Sequence, residues 1–383
     1  NLMMDMKHLL TVLLLAFSLM VSADTKLIPD MKFRRLDTQD GLSSSQINCI
    51  YSDSRGYLWI GTPYGLNRFD GFRIKTFYSS NRDTTTMRDN YTEQILEAND
   101  GKLWLKQGMN YCIFDPATEQ GDRHPERYLE ELGVKGGIER LYIDHEKNLW
   151  VKTYDTGFWH VNPQSKHVFQ FPFGYEAQQF NSNFGISDFA EDDRHIYVSS
   201  TNGEIICFDK KKNMIVWKNY FLHQNKYTHD QDCKLRVDWQ ENLWVITTES
   251  TYRLNMISNK WNLSIQEVLR SWEFDNIPDE MDVWDIQYDN DHRYWIATDH
   301  GGLWVADPKD NTLRQFLTEK FDESTISENT LRIIRRDQLG RMWIGTYNNG
   351  VNLYTGALSN FINLELGNIN TVTADKQGIW WLG

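Results

Sequence analysis

The stretch Asp53 to Asp70, DSRGYLWIGTPYGLNRFD, decides the fold because related stretches recur along the whole chain of 383 residues. Each copy contains one large aromatic residue, which we call the anchor. The eight anchors are Trp59, Trp104, Trp150, Tyr197, Trp244, Trp295, Trp343 and Trp381. The first seven follow one another at spacings of 45 to 51 residues, and the eighth comes after only 38. A period of this size is typical of repeat architectures.

Each repeat has the same internal order of strand and turn signals. The alternating run INCIYSD at 47–53 predicts a half-buried first strand. An Asp six residues before the anchor and a Gly three residues before it predict a tight turn, because Asp accepts hydrogen bonds from nearby backbone amides and Gly adopts positive φ. A second strand at Leu58 to Thr62, a turn at Pro63 to Gly65, and third and fourth strands at Leu66 to Phe69 and Arg73 to Phe77 follow.

Four strands in about 46 residues predict a propeller blade. We therefore predict an all-β protein with a seven-bladed β-propeller at residues 32–356. The anchors should be structural, since a large flat ring fills the space between neighbouring blades. The strand-like segment Lys32 to Leu36 should complete the seventh blade and close the ring. A β-helix or another solenoid is the alternative fold, but its repeats are usually shorter.

The carboxyl-terminal residues 357–383 predict the first strands of a second propeller. Phe361 to Leu364 (FINL) is similar to the strand that precedes the first blade, and the anchor Trp381 follows it. Since a chain that ends inside a strand leaves an unpaired edge, we expect these residues to be the front part of a longer protein.

The amino-terminal residues 1–23 have the pattern of a secretory signal peptide. A run of thirteen uncharged residues, Leu9 to Val21, follows Lys7 and ends near the small residue Ala23. A membrane span needs about 20 apolar residues, so an uncleaved anchor is the alternative. We expect export to the periplasm, where the full-length protein would be held at the inner membrane.

Charge and cysteine content exclude several classes of protein. With 40 Lys and Arg against 53 Asp and Glu, the formal net charge is −13, which argues against a nucleic-acid partner because phosphate backbones require clustered cations. The spacings of Cys49, Cys112, Cys207 and Cys233 match no compact disulfide framework and no zinc motif. We therefore expect buried free thiols.

The sequence GLSSSQINCIYSDSRGYLWIGTPYGLNRFDGF at Gly41 to Phe72 closely resembles the two-component regulator propeller repeat. Trp295 to Ala306 (WIATDHGGLWVA) and Trp343 to Tyr354 (WIGTYNNGVNLY) repeat the pattern. The chain is thus similar to the periplasmic sensor region of Bacteroidetes hybrid two-component system histidine kinases.

That resemblance implies two propellers followed by a β-sandwich, a membrane helix, a histidine kinase, a receiver and a DNA-binding domain. It also implies an oligosaccharide ligand released from complex glycans and a homodimer. Membrane attachment would come only through a downstream segment. The kinase and DNA-binding parts lie outside these 383 residues.

No motif predicts catalysis, a cofactor or a metal site. Phosphate-binding loops and the usual zinc-protease and hydrolase motifs are missing from the sequence. The cluster HQNKYTHDQDC at 223–233 contains metal-ligand residue types, but its spacing favours a solvated loop. Because the Asp-Gly-Trp turn is similar to the Asp-box of propeller glycosidases, an exported carbohydrate-active hydrolase or lyase is the alternative function. A scaffold for protein contacts is a third.

We expect a ligand to contact the turns that join the second and third strands, because these gather on one face of the ring. Tyr, Asn and Asp suit sugars, since rings stack on sugar faces while amides and carboxylates bind hydroxyls. Tight turns favour Asn and Asp for geometric reasons as well. The candidate residues are Tyr64, Asn110, Tyr154, Asp155, Asp299, His300, Tyr347, Asn348 and Asn349.

Overall fold

The computed structural model describes residues 28, 30–154, 157–172, 185–220, 222 and 233–356, and the backbone of 372–374 and 380–382. Seven four-stranded antiparallel sheets follow one another along this part of the chain. The predicted seven-bladed propeller is therefore confirmed.

The first strand of the chain is β1 (Arg34–Leu36). Blades one and two contain β2 (Cys49–Ser52), β3 (Leu58–Thr62), β4 (Gly65–Phe69), β5 (Ile74–Phe77), β6 (Gln94–Glu97), β7 (Leu103–Gln107), β8 (Asn110–Asp115) and β9 (Gln120–Asp122). Blades three and four contain β10 (Ile138–Ile143), β11 (Leu149–Thr153), β12 (Gly157–Asn162), β13 (His167–Gln170), β14 (Ile186–Glu191), β15 (His195–Ser200), β16 (Ile205–Asp209) and β17 (Met214–Asn219). Blades five, six and seven contain β18 (Lys234–Val237), β19 (Leu243–Ile246), β20 (Thr251–Asn255), β21 (Lys260–Asn262), β22 (Val283–Tyr288), β23 (Tyr294–Thr298), β24 (Leu303–Asp307), β25 (Thr312–Phe316), β26 (Leu331–Arg336), β27 (Met342–Thr346) and β28 (Val351–Tyr354).

The ring closes through the amino-terminal strand, as the sequence predicts. Strand β1 pairs antiparallel with β28, with Arg34 opposite Leu353 and Leu36 opposite Val351. The seventh sheet consequently has the order β1-β28-β27-β26. Its outer strand and its three inner strands come from opposite ends of the propeller sequence.

The first strand of each blade lines a central channel, and the fourth lies at the outside of the ring. Because successive strands are antiparallel, the anchor turns between first and second strands lie on one face of the ring. The turns between second and third strands lie on the opposite face, which we call the upper face.

A hydrogen bond from the anchor to the turn aspartate recurs in five blades. The indole Nε1 donates to an Asp carboxylate at 2.8 to 3.0 Å in the pairs Trp59–Asp53, Trp150–Asp144, Trp244–Asp238, Trp295–Asp289 and Trp343–Asp337. The other carboxylate oxygen accepts backbone amides; that of Asp53 accepts from Arg55 at 3.0 Å and Tyr57 at 2.9 Å. The sequence predicts the amide bonds but not the indole bond.

Two blades depart from this arrangement. In blade four the anchor is Tyr197, whose hydroxyl donates to Asp192 at 2.7 Å. Since a Tyr hydroxyl reaches a different point from an indole nitrogen, the aspartate stands one residue closer to the anchor. In blade two Ala98 occupies the aspartate position, six residues before Trp104.

Each anchor packs against the next blade. The seven anchors from Trp59 to Trp343 are at most 2% exposed. Trp59 meets Phe114 of blade two at 5.8 Å between ring centroids, and Trp343 meets Phe69 of blade one at 5.9 Å. Burying such a ring contributes roughly 1.5–3 kcal/mol. The structural role of these seven anchors is thus clear, while the side chain of Trp381 lies outside the described residues.

Two short helices that are not predicted from the sequence occupy loops between blades. Helix α1 (Pro125–Leu132) begins with a proline at its first turn and ends at Gly133, which has φ 100°. Helix α2 (Ile265–Ser271) is capped by Ser264, whose hydroxyl accepts the Glu267 amide at 3.1 Å. Both sequences carry recognisable start signals.

All four cysteines are buried free thiols, as predicted. Burial raises the pKa of Cys49 to about 12 and that of Cys112 to about 11. Within the described residues, no helix has the length and apolar character that crossing a membrane requires.

The predicted second propeller is not confirmed. A two-stranded antiparallel pair joins β29 (Val372–Ala374) and β30 (Trp380–Leu382). The segment Phe361 to Leu364 and the predicted signal peptide at 1–23 lie outside the described residues. The second propeller therefore stays a prediction.

We expect Asp337→Ala to lower the free energy of unfolding by about 2–4 kcal/mol. The substitution removes the acceptor for Trp343 Nε1 at 2.8 Å and for the Leu339 and Arg341 amides at 2.9 and 3.0 Å. A buried indole N–H then has no partner. Urea unfolding followed by tryptophan fluorescence measures the change.

Asp100→Ala is the matched control, because Asp100 is exposed in the corresponding turn of blade two, where it accepts the Lys102 amide at 3.1 Å and pairs with Lys102 Nζ at 3.4 Å without receiving an indole bond. Equal losses of unfolding free energy in the two variants would show that the hydrogen bond from the indole adds no stability beyond that of the turn itself.

Candidate functional site

The central channel has a volume of about 790 Å³ and is lined by residues of all seven first strands. Near its upper end each blade places one residue five positions before the turn aspartate, or before Ala98 in blade two. We call these residues the rim. They are Asn48, Glu93, Glu139, Ser187, Cys233, Trp284 and Arg332. All except Glu139 line the channel.

The rim coincides with an irregularity in four blades. The pairing register between first and second strands shifts at Glu139, Ser187, Trp284 and Arg332. A β-bulge inserts an unpaired residue and changes the direction of its side chain. At these four positions the residue therefore stands outside the regular strand pairing, and its side chain points in a different direction.

Two rim residues form a row of cations and rings with two neighbours. Lys234 Nζ lies 5.3 Å from the centre of the Trp284 ring. The Arg332 guanidinium carbon lies 5.2 Å from the same ring and 4.3 Å from the ring of Tyr347. Cations at these distances are attracted to the faces of aromatic rings. We call Lys234, Trp284, Arg332 and Tyr347 the cation–aromatic row.

Three cations at the channel have no carboxylate partner among the described residues. Lys234 Nζ donates to the Trp284 carbonyl at 2.9 Å, and Arg140 donates to the carbonyls of Ile186 and Ser187, both at 2.9 Å. Arg332 Nε is buried without an acceptor. Burial lowers the pKa of Lys234, although attraction by Asp285 opposes this shift.

A neutralised group of charges lies beside these cations. Asp285 accepts from Arg236 Nε at 2.8 Å and from Arg335 at 2.8 Å, while Asp188 accepts from Arg236 at 3.2 Å. Burial alone would raise the pKa of Asp285, but the attraction of Arg236, Arg335 and Lys234 outweighs it and lowers the pKa to about 2. These bonds connect the first strands of blades four to seven.

The predicted contact residues Tyr154, Asp299 and Tyr347 lie beside the starts of first strands. Their backbone amides donate to the carbonyls of Gly137, Asp282 and Thr330 at 3.0, 2.9 and 3.0 Å. Tyr347 additionally contacts the rim through Arg332.

The other candidates lie elsewhere or have structural roles. Tyr64 is 66% exposed in its turn, Asn110 is the first residue of β8, and His300 pairs with Asp299 at 2.8 Å. The Asn348 amide donates to Glu328 at 2.8 Å. Asn349 donates to the Ser327 carbonyl at 3.0 Å and accepts from Arg35 at 3.1 Å. Asp155 lies outside the described residues. None of the eight described candidates lines the channel.

Sequence reasoning missed the rim, although a signal was present. Counting five residues back from each turn aspartate, or from Ala98 in blade two, finds every rim position. These positions vary in chemistry from Asn to Trp to Arg, whereas the seven anchors of the propeller are all Trp or Tyr.

The described residues contain no group of three or more His, Cys, Asp or Glu side chains that could hold a metal ion. Of the 223–233 cluster, only Cys233 is described. The chemistry that the channel mouth offers is therefore that of aromatic faces and positively charged hydrogen-bond donors.

Comparison with known proteins agrees with the repeat. Residues 41–64 match the two-component regulator propeller family. A 55-residue stretch, 14% of this chain and 4% of the other protein, is 40% identical to histidine kinase P4 of Formosa agariphila. The resemblance to regulator-propeller repeats is thereby confirmed.

Two solved structures from B. thetaiotaomicron have the same fold. The extracellular domain of a protein assigned as a hybrid two-component system is 19% identical with a TM-score of 0.62, and the match covers 92% of this chain and 47% of that one. That of a protein assigned as a one-component system is 16% identical with a TM-score of 0.62, covering 92% and 45%. This chain therefore spans about half the length of these structures.

We expect Asp285→Asn to lower the free energy of unfolding by about 3 kcal/mol at pH 7, because it leaves Arg236 and Arg335 without their shared carboxylate. The pKa of Asp285 is about 2 in the folded protein and about 3.9 in an unfolded chain. Its carboxylate therefore stabilises the fold above about pH 4, and this contribution is lost as the pH falls toward 2.

Urea unfolding at pH 7, 4 and 3 should show the difference from wild type narrowing at acid pH. The control is Asp193→Asn, which changes an exposed carboxylate. A difference that stays constant with pH would contradict the assignment of this contribution to Asp285.

Proposed function

We propose that this chain is the extracytoplasmic ligand-sensing module of a hybrid two-component regulator and that it binds glycan-derived oligosaccharides at the upper mouth of its channel. The observation that carries the proposal is the cation–aromatic row on a propeller with regulator-propeller repeats. The apolar segment Leu9 to Val21 and the extracellular source of the similar structures favour the periplasm.

The chemistry of the mouth suits sugars. Aromatic faces stack on the apolar faces of sugar rings, and N–H donors bind hydroxyl oxygens. Tyr347 is 46% exposed and Tyr91, in the loop before β6, is 40% exposed. Ligand pockets typically have volumes of about 300–1,000 Å³, so a channel of about 790 Å³ can hold several sugar rings.

The placement of the row suggests how binding could be transmitted. Lys234 belongs to blade five, Trp284 to blade six, and Arg332 and Tyr347 to blade seven. A ligand on the row would therefore bridge three blades, and β1 pairs with the last of them. We propose that this bridging changes how the module contacts downstream segments that reach a membrane-anchored histidine kinase, within a homodimer.

An exported carbohydrate-active enzyme is the alternative function. Its main support in the sequence is the Asp-Gly-Trp turn. The carboxylates of these turns, however, already accept hydrogen bonds from the turn amides and the anchor. Both oxygens of Asp53 accept bonds from its own turn and anchor. We propose a non-enzymatic module without cofactors or nucleic-acid partners.

We expect Trp284→Ala to weaken oligosaccharide binding at least tenfold, equivalent to about 1.4 kcal/mol. Calorimetric titration with oligosaccharides prepared from several plant and algal polysaccharides measures the affinity of each variant. Trp261→Ala removes the same side chain from the outer strand β21 and should leave the affinity unchanged.

Release of reducing ends from any of these polysaccharides by the purified protein would favour the enzyme. The absence of binding to all of the oligosaccharides would overturn the sensor proposal and favour a scaffold for protein contacts.

A further inference from the structure

We infer that the ligand of the channel mouth is anionic, with a carboxylate or sulfate group that binds Arg332, Lys234 and Arg140. This inference rests on the proposed function and specifies the class of sugar. Among the residues that the structure describes, the channel contains three cations without an ion-paired carboxylate, although the protein as a whole has a formal net charge of −13.

The carboxylates that line the channel already have partners. Glu93 pairs with Lys106, Glu97 with Lys147, and Glu191 with Lys210 and His145. Asp188 and Asp285 hold Arg236 and Arg335, and Asp144 holds its anchor Trp150. Along the part of the channel that the structure describes, no carboxylate forms an ion pair with Arg140, Lys234 or Arg332.

Two of the three cations lie against the same aromatic ring, and the third lines the same channel. Arg332 and Lys234 lie at 5.2 and 5.3 Å from the Trp284 ring, and Arg140 belongs to the channel lining in blade three. Arg140 and Lys234 bond to backbone carbonyls, which carry no full charge. Cations that lack an ion-paired carboxylate attract an anion to the channel of an acidic protein.

Arg332 is the residue best placed to bind the anion. Its guanidinium is stacked on the Tyr347 ring at 4.3 Å, which fixes the plane of its N–H donors. The Nε atom is buried and has no acceptor. A planar guanidinium whose Nε lacks an acceptor matches the oxygens of a carboxylate or sulfate. A neutral sugar would leave the charge uncompensated.

The test is calorimetric titration of the whole chain with a matched pair of ligands, trigalacturonate and neutral galactotriose, and with a sulfated disaccharide. We expect at least one acidic ligand to bind at least tenfold more tightly than the neutral trisaccharide. Its affinity should fall steeply as NaCl rises from about 50 to 500 mM. Tighter binding of trigalacturonate would identify a carboxylate as the preferred group, and tighter binding of the sulfated disaccharide would identify a sulfate.

Arg332→Gln and Lys234→Met should each reduce the affinity for the acidic ligand at least tenfold. Arg127→Gln, an exposed charge on α1, should leave it unchanged. Circular dichroism and melting temperature confirm that each variant is folded. Arg332→Lys, which keeps the charge but not the planar donors, should retain part of the affinity.

Equal binding of acidic and neutral ligands that is insensitive to Arg332→Gln would overturn the inference and leave the sensor proposal standing. Sodium sulfate alone is the remaining probe. Binding of sulfate that requires Arg332, without binding of any saccharide, would support the anion site and overturn the glycan proposal. Failure of every probe would overturn both.

Discussion

The structure depends on one hydrogen bond, from the anchor indole to the turn aspartate. The bond closes the turn and fixes the anchor ring, and the ring is the surface on which the next blade packs. Trp343 shows both interactions together, since its indole donates to Asp337 and its ring packs on Phe69 of blade one. Where Tyr197 replaces the indole, the aspartate shifts by one residue and the bond is preserved. One local interaction thus recurs in six of the seven blades and holds the ring against which the next sheet packs.

This constraint divides each repeat into fixed and free positions. Anchors, turn aspartates and the alternating apolar residues are fixed because the neighbouring blades bury them. Six of the seven rim residues are free because they face the channel. At Trp284 and Arg332 a register shift also takes the residue out of the regular strand pairing. Chemistry can therefore vary at the rim without disturbing the ring. The cation–aromatic row uses this freedom in three successive blades.

The sequence predicted the blades well because their signals are local. The period of the anchors, the turn residues and the strand at Lys32 to Leu36 led to the observed sheets and to the observed closure. The site was harder to predict because it brings together residues from separate repeats: Lys234 and Arg332 are almost a hundred positions apart. Their convergence on Trp284 depends on blade twist and bulges, which no local pattern specifies. The helices α1 and α2 were not predicted, because the repeat pattern describes only strands and turns, whereas the start signals Pro125 and Ser264 stand in the loops between blades.

Closure of the ring by β1 and β28 has a consequence for how the chain folds. Arg34 cannot meet Leu353 until seven blades of sequence have been made. Until then β28 has an unpaired edge and β1 belongs to no sheet. Such distant pairing is slow, because the loop entropy is lost before any contact compensates it. The folding chain therefore passes through an open stage with unpaired strand edges, during which a chaperone would protect it best.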